Sequence, residues 1–275
     1  MSKEAQYKEC LLMAEYAENT KHCMVSYYVL SPVGDAKTVG GSYQRMFPTM
    51  KLYRSYDNAD VRRDCNITGA YNPNNRYGSD LSKIPSETVD GYRYYVPAES
   101  SGVASGTSTA LWCTGKFRVS DPKERSSISA NQCVMNYPLM RMAEVRLQYA
   151  EALYFTGDES GARKQFDPVR ERVLAGDVSL KKLNEAYYRS DFVEELLEER
   201  GRELCYESKR KIDLIRFGRI TETIEELPSE GGPNNVAVGI DLLKDNWRSY
   251  KIWLPVPQLE IDLNPNLEQN AVYAD

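Results

Sequence analysis

The stretch that most constrains the fold runs over residues 191–216. Asp191, followed three residues later by Glu194, resembles a capping box, and an apolar stripe begins directly after it. The stripe recurs at helical spacings of three, four and seven or eight residues, at Phe192, Val193, Leu196, Leu197 and Leu204. We therefore predict a helix that begins at Asp191 and buries this face.

The rest of this predicted helix is crowded with charge, at Glu195, Glu198, Glu199, Arg200, Arg202 and Glu203. One interpretation is a solvated face, on which Glu198 and Arg202 form a surface pair of about 0–1 kcal/mol. The other is that the arginines bind carboxylates and carbonyls of neighbouring helices bidentately. Both interpretations are structural, and neither makes these residues catalytic.

This charged stretch carries a family signature formed by Glu199, Arg200, Arg202, Glu203, Glu207, Arg210, Asp213 and Arg216. In that order and spacing they resemble the C-terminal signature of the SusD/RagB family, the surface glycan-binding lipoproteins of Bacteroidetes-type bacteria. Residues 141–152 and 169–172 upstream, and 254–261 and 264–273 downstream, are similar to further family blocks in the same order. A looser likeness reaches back to residues 45–62, where a proline turn leads to a short helix and an Asp-x-Arg.

The resemblance implies a non-catalytic carbohydrate-binding protein whose signature ties the last helices to tetratricopeptide-like helices. It also implies an oligosaccharide or polysaccharide ligand and a SusC-like TonB-dependent transporter as partner. The location would be the outer membrane, exposed at the cell surface. Membrane contact would come only through a lipid anchor, which this chain does not carry.

Family members are longer and begin with an export signal and several tetratricopeptide-like helix pairs. We therefore expect this chain to be a C-terminal portion that lacks them. We also expect it to self-associate through helix faces that the absent half would cover.

Charge and composition exclude several function classes. The 275 residues carry a net charge of −5 and a pI near 5.3, so no basic field attracts nucleic acid. With 41% hydrophobic residues the chain can form a substantial core, but no apolar run is long enough to span a membrane.

The residue types needed for catalysis are scarce. His22 is the single histidine, and the six cysteines include no Cys-x-x-Cys, so we expect neither a nucleophile pair nor a metal site. No glycine-rich phosphate loop is present, and we expect no cofactor. Carboxylate pairs for glycoside hydrolysis exist, such as Asp57 with Asp60 or Glu144 with Glu151, but 40 acidic residues produce such pairs by chance.

The predicted fold class is mainly α with long loops and a few short strands. We divide the chain into a loop-rich region with short strands, residues 1–138, and a helical domain, residues 139–275. Within the first region we predict a helix over residues 4–19, from the spacing of Tyr7, Cys10, Leu11 and Ala14, and a strand over 24–30. Residues 66–136 are rich in Gly, Ser, Asn, Pro and Tyr, which indicates long loops.

The helical domain opens with a predicted helix over residues 140–156, which ends at Gly157, and a second helix from Glu159. Ala162 and Phe166 have the small-then-large spacing of a tetratricopeptide-like hairpin. We expect Pro168 to bend the second helix. Near the end of the chain we expect Trp247, Trp253 and residues 254–257 to close the core.

The predicted glycan-binding face lies in the loop-rich region. Sugar rings present C–H patches that pack on aromatic faces, so Tyr92, Tyr94, Tyr95 and Trp112 are the candidate platform. Arg76, Tyr77 and Tyr43 are candidate flanking contacts. The alternative interpretation is that these rings cover a loop-rich core. Two other functions stay open: a tetratricopeptide-like protein-binding adaptor and a glycoside hydrolase.

Overall fold

The computed structural model describes residues 8–16, 48–69, 86–89, 92–95, 112–114, 116, 136–174, 180, 183, 187–227 and 236–273. Within these residues the chain is mainly helical with short strands, which confirms the predicted fold class. The helices are α1 Met50–Arg54, α2 Arg62–Asn66, α3 Met142–Phe155, α4 Glu159–Lys164, α5 Asp167–Glu171, α6 Phe192–Glu203, α7 Arg210–Arg216, α8 Ile220–Glu225, α9 Val236–Asn246 and α10 Gln258–Leu263. Short 3₁₀ turns cover Ser249–Ile252 and Ala271–Tyr273.

The described strands form antiparallel pairs rather than one sheet. Strand β1 (Cys10–Ala14) pairs with β6 (Tyr137–Arg141), and β2 (Ile67–Gly69) pairs with β5 (Trp112–Thr114). Strands β3 (Ser86–Val89) and β4 (Tyr92–Tyr95) form a hairpin whose strands are separated by only two residues, Asp90 and Gly91. The predicted division after residue 138 stays a prediction, and β6 extends across it.

Helices α3 and α4 form the predicted helical hairpin. Gly157 ends the first helix with a φ of +95°, a conformation that glycine adopts without steric cost. Asp158 then caps α4, because its Oδ1 accepts a hydrogen bond of 2.8 Å from the Gly161 N–H. Ala162 and Phe166 are both fully buried between the helices, as their spacing predicted.

The expectation at Pro168 is wrong in form, because the helix breaks instead of bending. Helix α4 ends at Lys164, and Pro168 lies in the first turn of α5. A proline in a first turn leaves no intrahelical hydrogen bond unmade, so the break avoids the cost of a proline in a helix interior.

The core surrounds α6. One apolar cluster joins α6 to the α3–α4 hairpin, and a second joins α6 to α7 and α8. In the first cluster the ring of Phe192 stacks on Tyr154 at 4.3 Å and on Phe166 at 5.6 Å between ring centroids. Asp191 caps α6 as predicted, accepting hydrogen bonds from the N–H groups of Val193 and Glu194.

The helix predicted over residues 4–19 is wrong where the structure describes it. Cys10–Ala14 is a strand, and only Lys8 and Glu9 before it are helical. The pairing with β6 lies more than 120 residues away along the chain, so it overrides a local apolar period of one short segment. The strand predicted over residues 24–30 lies outside the described residues.

The C-terminal segment differs from its prediction. Trp247 does pack on the α6–α8 cluster, but Trp253 is 66% exposed and Leu254 is 75% exposed. This segment is held by polar contacts instead: Gln269 bonds both backbone groups of Val256, and Asn270 Nδ2 donates to the Leu254 carbonyl. Hydrogen bonds to its backbone, rather than buried side chains, therefore fix its path.

Candidate functional site

Helix α6 carries a row of acidic residues one turn apart: Glu195, Glu199 and Glu203. All three are buried, with 2%, 0% and 3% exposure, and Arg202 beside them is fully buried. Residues four apart share a helix face, so the row faces one set of neighbours. A solvated face therefore does not describe these side chains, which are enclosed by arginines from other elements.

Glu199 lies at the centre of the buried ionic cluster. Its Oε1 accepts a hydrogen bond of 2.8 Å from Arg62 Nη1. Its Oε2 accepts bonds of 2.9 Å from Arg170 Nε and from Arg202 Nη2. Three guanidinium groups from α2, α5 and α6 thus compensate one carboxylate, which is the condition for keeping a charge out of water.

Glu203 and Glu207 extend the cluster towards β6. Arg141, the last residue of β6, donates to both carboxylates and also, through Nη2, to the Glu203 carbonyl. Arg172 makes a further ion pair with Glu203. Glu207 reaches the cluster because the turn after α6 is sharp: Tyr206 and Ser208 have φ values of +65° and +61°, a left-handed conformation that is costly for these residue types.

The arginines keep these buried carboxylates ionised. Burial alone would raise the pKa of Glu199, but the charges of Arg62, Arg202 and Arg170 hold that pKa well below its ordinary value. Burial likewise opposes ionisation of Glu203, yet Arg141 and Arg62 lower its pKa to about 2. The folded state therefore favours the charged form of both groups.

Tyrosine and amide groups complete the cluster. The Tyr187 hydroxyl donates to Asp60 Oδ2 at 2.7 Å, and the Arg202 guanidinium lies 4.0 Å from the centroid of the Tyr187 ring. The Arg202 carbonyl accepts from the Tyr56 hydroxyl at 2.9 Å and from Asn66 Nδ2 at 3.1 Å. These contacts join the end of α6 to the segment that precedes β2.

The remaining signature residues connect α6, α7 and α3. Arg200 Nε donates to Asp213 Oδ2 at 2.7 Å, and Arg210 Nη1 donates to the Leu197 carbonyl at 2.6 Å. Arg216 is more exposed and forms a two-bond pair with Glu151 of α3 at 2.7 and 2.9 Å. The expected surface pair of Glu198 with Arg202 is wrong, since both residues are described and bind elsewhere: Arg202 points inwards to Glu199, and Glu198 lies 3.9 Å from Arg210.

The cluster anchors the strand pair that carries Trp112. Helix α2 runs directly into β2, and its Arg62 contacts Asp60, Glu199 and Glu203. Two residues after β5, Lys116 Nζ donates to the Glu203 carbonyl at 2.7 Å and pairs with Glu207. Both strands are therefore tied to the same group of carboxylates.

The structure places part of the predicted binding face around β2. Gly69 of β2 pairs with Trp112 of β5, and strand β4, with Tyr92, Tyr94 and Tyr95, lies against β2. The backbones of the four candidate aromatic residues are thus brought together. The side chains of these four lie outside what the structure describes, as do Arg76, Tyr77 and Tyr43 altogether.

Carboxylates that might serve in hydrolysis are already engaged where the structure describes them. Asp60 is bound by Arg62 and Tyr187, and Glu151 by Arg216. Within the described ranges no group of three or more His, Cys, Asp and Glu side chains is placed to bind a metal ion. Among the same residues, no helix combines the length and apolar character needed to cross a bilayer.

Comparison with known proteins gives one family. The model of the SusD family matches residues 21–273. The chain is 29% identical over 201 residues to the starch-binding protein SusD of Bacteroides thetaiotaomicron, covering 71% of this chain and 31% of that protein. It is 28% identical over 250 residues to the SusD-like protein P2 of Formosa agariphila, covering 86% of this chain and 42% of that one.

Solved structures give the same fold. The surface glycan-binding protein A from Bacteroides thetaiotaomicron, in complex with laminarihexaose, superposes with a TM-score of 0.59 at 20% identity. The match covers 95% of this chain and 52% of that protein. The chain therefore spans about a third to a half of the length of these relatives.

The depressed carboxylate pKa values predict a loss of stability in acid. Glu203 has an ordinary pKa of 4.5 and a folded pKa of about 2, so its ionisation contributes stability above pH 4.5 that disappears as the pH falls towards 2. We expect Tm to fall across this window, and Glu203→Gln to lower Tm at pH 7 and flatten the acid dependence. Glu222→Gln, which alters an exposed pair with Arg219, serves as the control and should change neither. A parent Tm that stays constant from pH 5 to pH 2.5 would contradict this expectation.

The anchoring role of Lys116 predicts a local effect on backbone protection. In Lys116→Met the bond to the Glu203 carbonyl is lost, so we expect faster hydrogen exchange in Ile67–Gly69 and Trp112–Thr114, with α3 little changed. Exchange measured by mass spectrometry checks this, with Lys51→Met, which removes an exposed pair with Glu226, as the control. Unaltered exchange in both strands would show that Lys116 does not hold them.

Proposed function

We propose, from the premise that this chain belongs to the SusD family, that it takes part in binding oligosaccharide or polysaccharide without cleaving it. The proposed binding face is formed by Tyr92, Tyr94, Tyr95 and Trp112. Arg76, Tyr77 and Tyr43 are proposed as flanking contacts. The alternative, that these rings cover a loop-rich core, is decided by measuring glycan binding.

The observation that carries this proposal is the assembly of strands around β2. Trp112 pairs with Gly69 in the backbone register, and β4 with its three tyrosines lies against the same strand. Aromatic rings pack on the C–H faces of sugars, and side chains that satisfy hydroxyl groups complete such a site. A relative that shares the fold is a glycan-binding protein seen with laminarihexaose, and another is a starch-binding protein, which supports a glycan as the ligand class.

Several further points belong to the same proposal. The bound glycan would be delivered to a SusC-like TonB-dependent transporter for uptake. The protein would act at the surface of the outer membrane, attached through a lipid anchor rather than through its helices. The buried ionic cluster would have an architectural role, because its charges are paired with one another.

A non-catalytic role fits the state of the carboxylates. Glycoside hydrolysis needs one carboxyl group that can give up a proton and another that is free to act as base or nucleophile. Glu199 and Glu203 are held ionised by arginines, and Asp60 is occupied by Arg62 and Tyr187. Neither glutamate has a proton to donate near neutral pH.

The direct test is retention in gels that contain soluble starch or laminarin, followed by calorimetry with the matching hexaose. We expect the 275-residue chain to be retained by at least one glycan, and Trp112→Ala to raise Kd at least tenfold, about 1.4 kcal/mol. Trp253→Ala removes an equally large ring that is 66% exposed on the C-terminal segment, so it is the matched control and should bind like the parent.

Three outcomes would contradict the proposal. Equal binding by Trp112→Ala and the parent would place the binding face elsewhere. Retention by no glycan, together with a tight peptide partner, would favour a tetratricopeptide-like adaptor. Release of reducing sugar from either polymer would show a hydrolase.

A further inference from the structure

A polar cavity lies on the helical side of the molecule, lined by residues of the helices and of the turn between α6 and α7. It has a volume of about 440 Å³ and lies between α3 and α7, with Arg200 of α6 among its lining residues. Its size falls within the range of small-molecule sites in proteins. Its charged lining consists of Glu144, Glu151, Arg200, Lys209, Asp213 and Arg216.

Most of this charge is already paired within the lining. Lys209 Nζ lies 3.1 Å from Glu144 Oε1, and Arg200 Nε donates to Asp213 Oδ2 at 2.7 Å. Arg216 is bound to Glu151 through both oxygens. Since three cationic groups face three carboxylates, the described lining has no net charge with which to attract an ion.

Two buried atoms in this lining call for a further hydrogen-bonding group. Within the described part of the chain, Glu144 Oε2 and Arg200 Nη1 make no hydrogen bond, although the residues are only 3% and 4% exposed. The two side chains are close, with 4.0 Å between Arg200 Nη2 and Glu144 Oε1. A buried polar atom is costly when left unpaired, so this pair of atoms points to a ligand that supplies the missing bonds.

The chemistry of the two atoms selects a hydroxyl group. Arg200 Nη1 can only donate a hydrogen bond, and the ionised Glu144 can only accept one. A hydroxyl both accepts and donates, so one hydroxyl, or two on adjacent carbons, satisfies both atoms. A carboxylate ligand has no proton for Glu144, and an ammonium ligand has no lone pair for Arg200.

The rim of the cavity is apolar and suits the flat face of a sugar. Phe155 and Ile212 line it and are 65% and 60% exposed. The Phe155 ring is held in place by Phe217, at 6.4 Å between centroids, and by the edge of Tyr154 at 5.4 Å. A ring fixed beside buried hydrogen-bonding groups matches a molecule with C–H groups on one side and hydroxyls on the other.

We propose that this cavity binds one neutral sugar residue, with a hydroxyl pair on Arg200 and Glu144 and the ring C–H face on Phe155. The residues of this site are separate from the aromatic strands at Trp112, so it does not rest on the function proposed for those strands. It would give the protein a second point of contact with a glycan.

The test uses saturation-transfer NMR with methyl β-D-glucopyranoside and the 275-residue chain. We expect binding with a Kd of about 1 mM, as suits a ligand of this size. Phe155→Ala should raise Kd at least fivefold. Tyr149→Ala, which removes a ring that is 53% exposed on the same helix but does not line the cavity, should leave Kd unchanged.

Two further measurements distinguish this site from non-specific adsorption of sugar. Glu144→Gln replaces the acceptor oxygens with one oxygen and a donor of similar size, and should weaken binding while the folded spectrum is kept; Ile212→Ala gives a second rim variant. The glucuronide analogue of the probe, whose carboxylate cannot donate, should bind more weakly than the glucoside.

Binding to the Trp112→Ala variant distinguishes the two proposed sites. Persistence of glucoside binding in that variant, with loss in Phe155→Ala, supports the helical site whatever happens to polymer retention. Absence of binding by the parent would overturn the inference. So would binding that survives Phe155→Ala but not Trp112→Ala, or equal affinity for the glucuronide.

Discussion

The ion pairs of Glu199 with Arg62, Arg170 and Arg202 are the interaction on which the described structure depends. Removing a carboxylate from water costs several kcal/mol, and only close and numerous donors offset that cost. In this protein the donors come from α2, α5 and α6. The chain must bring these elements to one point for the charge to be tolerated, so the cluster favours a single arrangement of the helices around α6.

This arrangement separates support from recognition. The apolar clusters and the ionic cluster hold α6 against α3, α5 and α7, while Arg62 and Lys116 extend the same contacts to β2 and β5. Short two-stranded pairs are marginal on their own, so strands this short need an outside anchor. Under the proposed function, the signature residues position the aromatic strands without touching the ligand.

The sequence predicts local features well and distant ones poorly. The cap at Asp191, the end of α3 at Gly157 and the burial of Ala162 and Phe166 each follow from neighbouring residues. The strand at Cys10–Ala14 does not, because its partner β6 lies far along the chain.

Two further features escaped the sequence for physical reasons. Exposure of Trp253 was missed because its segment is held by side-chain bonds from Gln269, Asn270 and Tyr273 to backbone groups. Carboxylates one turn apart on α6 are a signal of the ionic cluster that the periodicity of apolar residues overlooks. Partners such as Arg62, which lie far away along the chain, have no local signal.

The most direct test of the central role of the ionic cluster is a double-mutant cycle between Arg62 and Glu199, with Arg62→Met, Glu199→Met and the double variant unfolded in urea. Each single change leaves buried charge unpaired and should cost about 3–5 kcal/mol, while the double variant removes both charges. We expect a coupling free energy above about 1.5 kcal/mol, so that the double variant is more stable than the sum of the single effects allows. Additive losses would show that the two residues act independently and that the ionic cluster does not join α2 to α6.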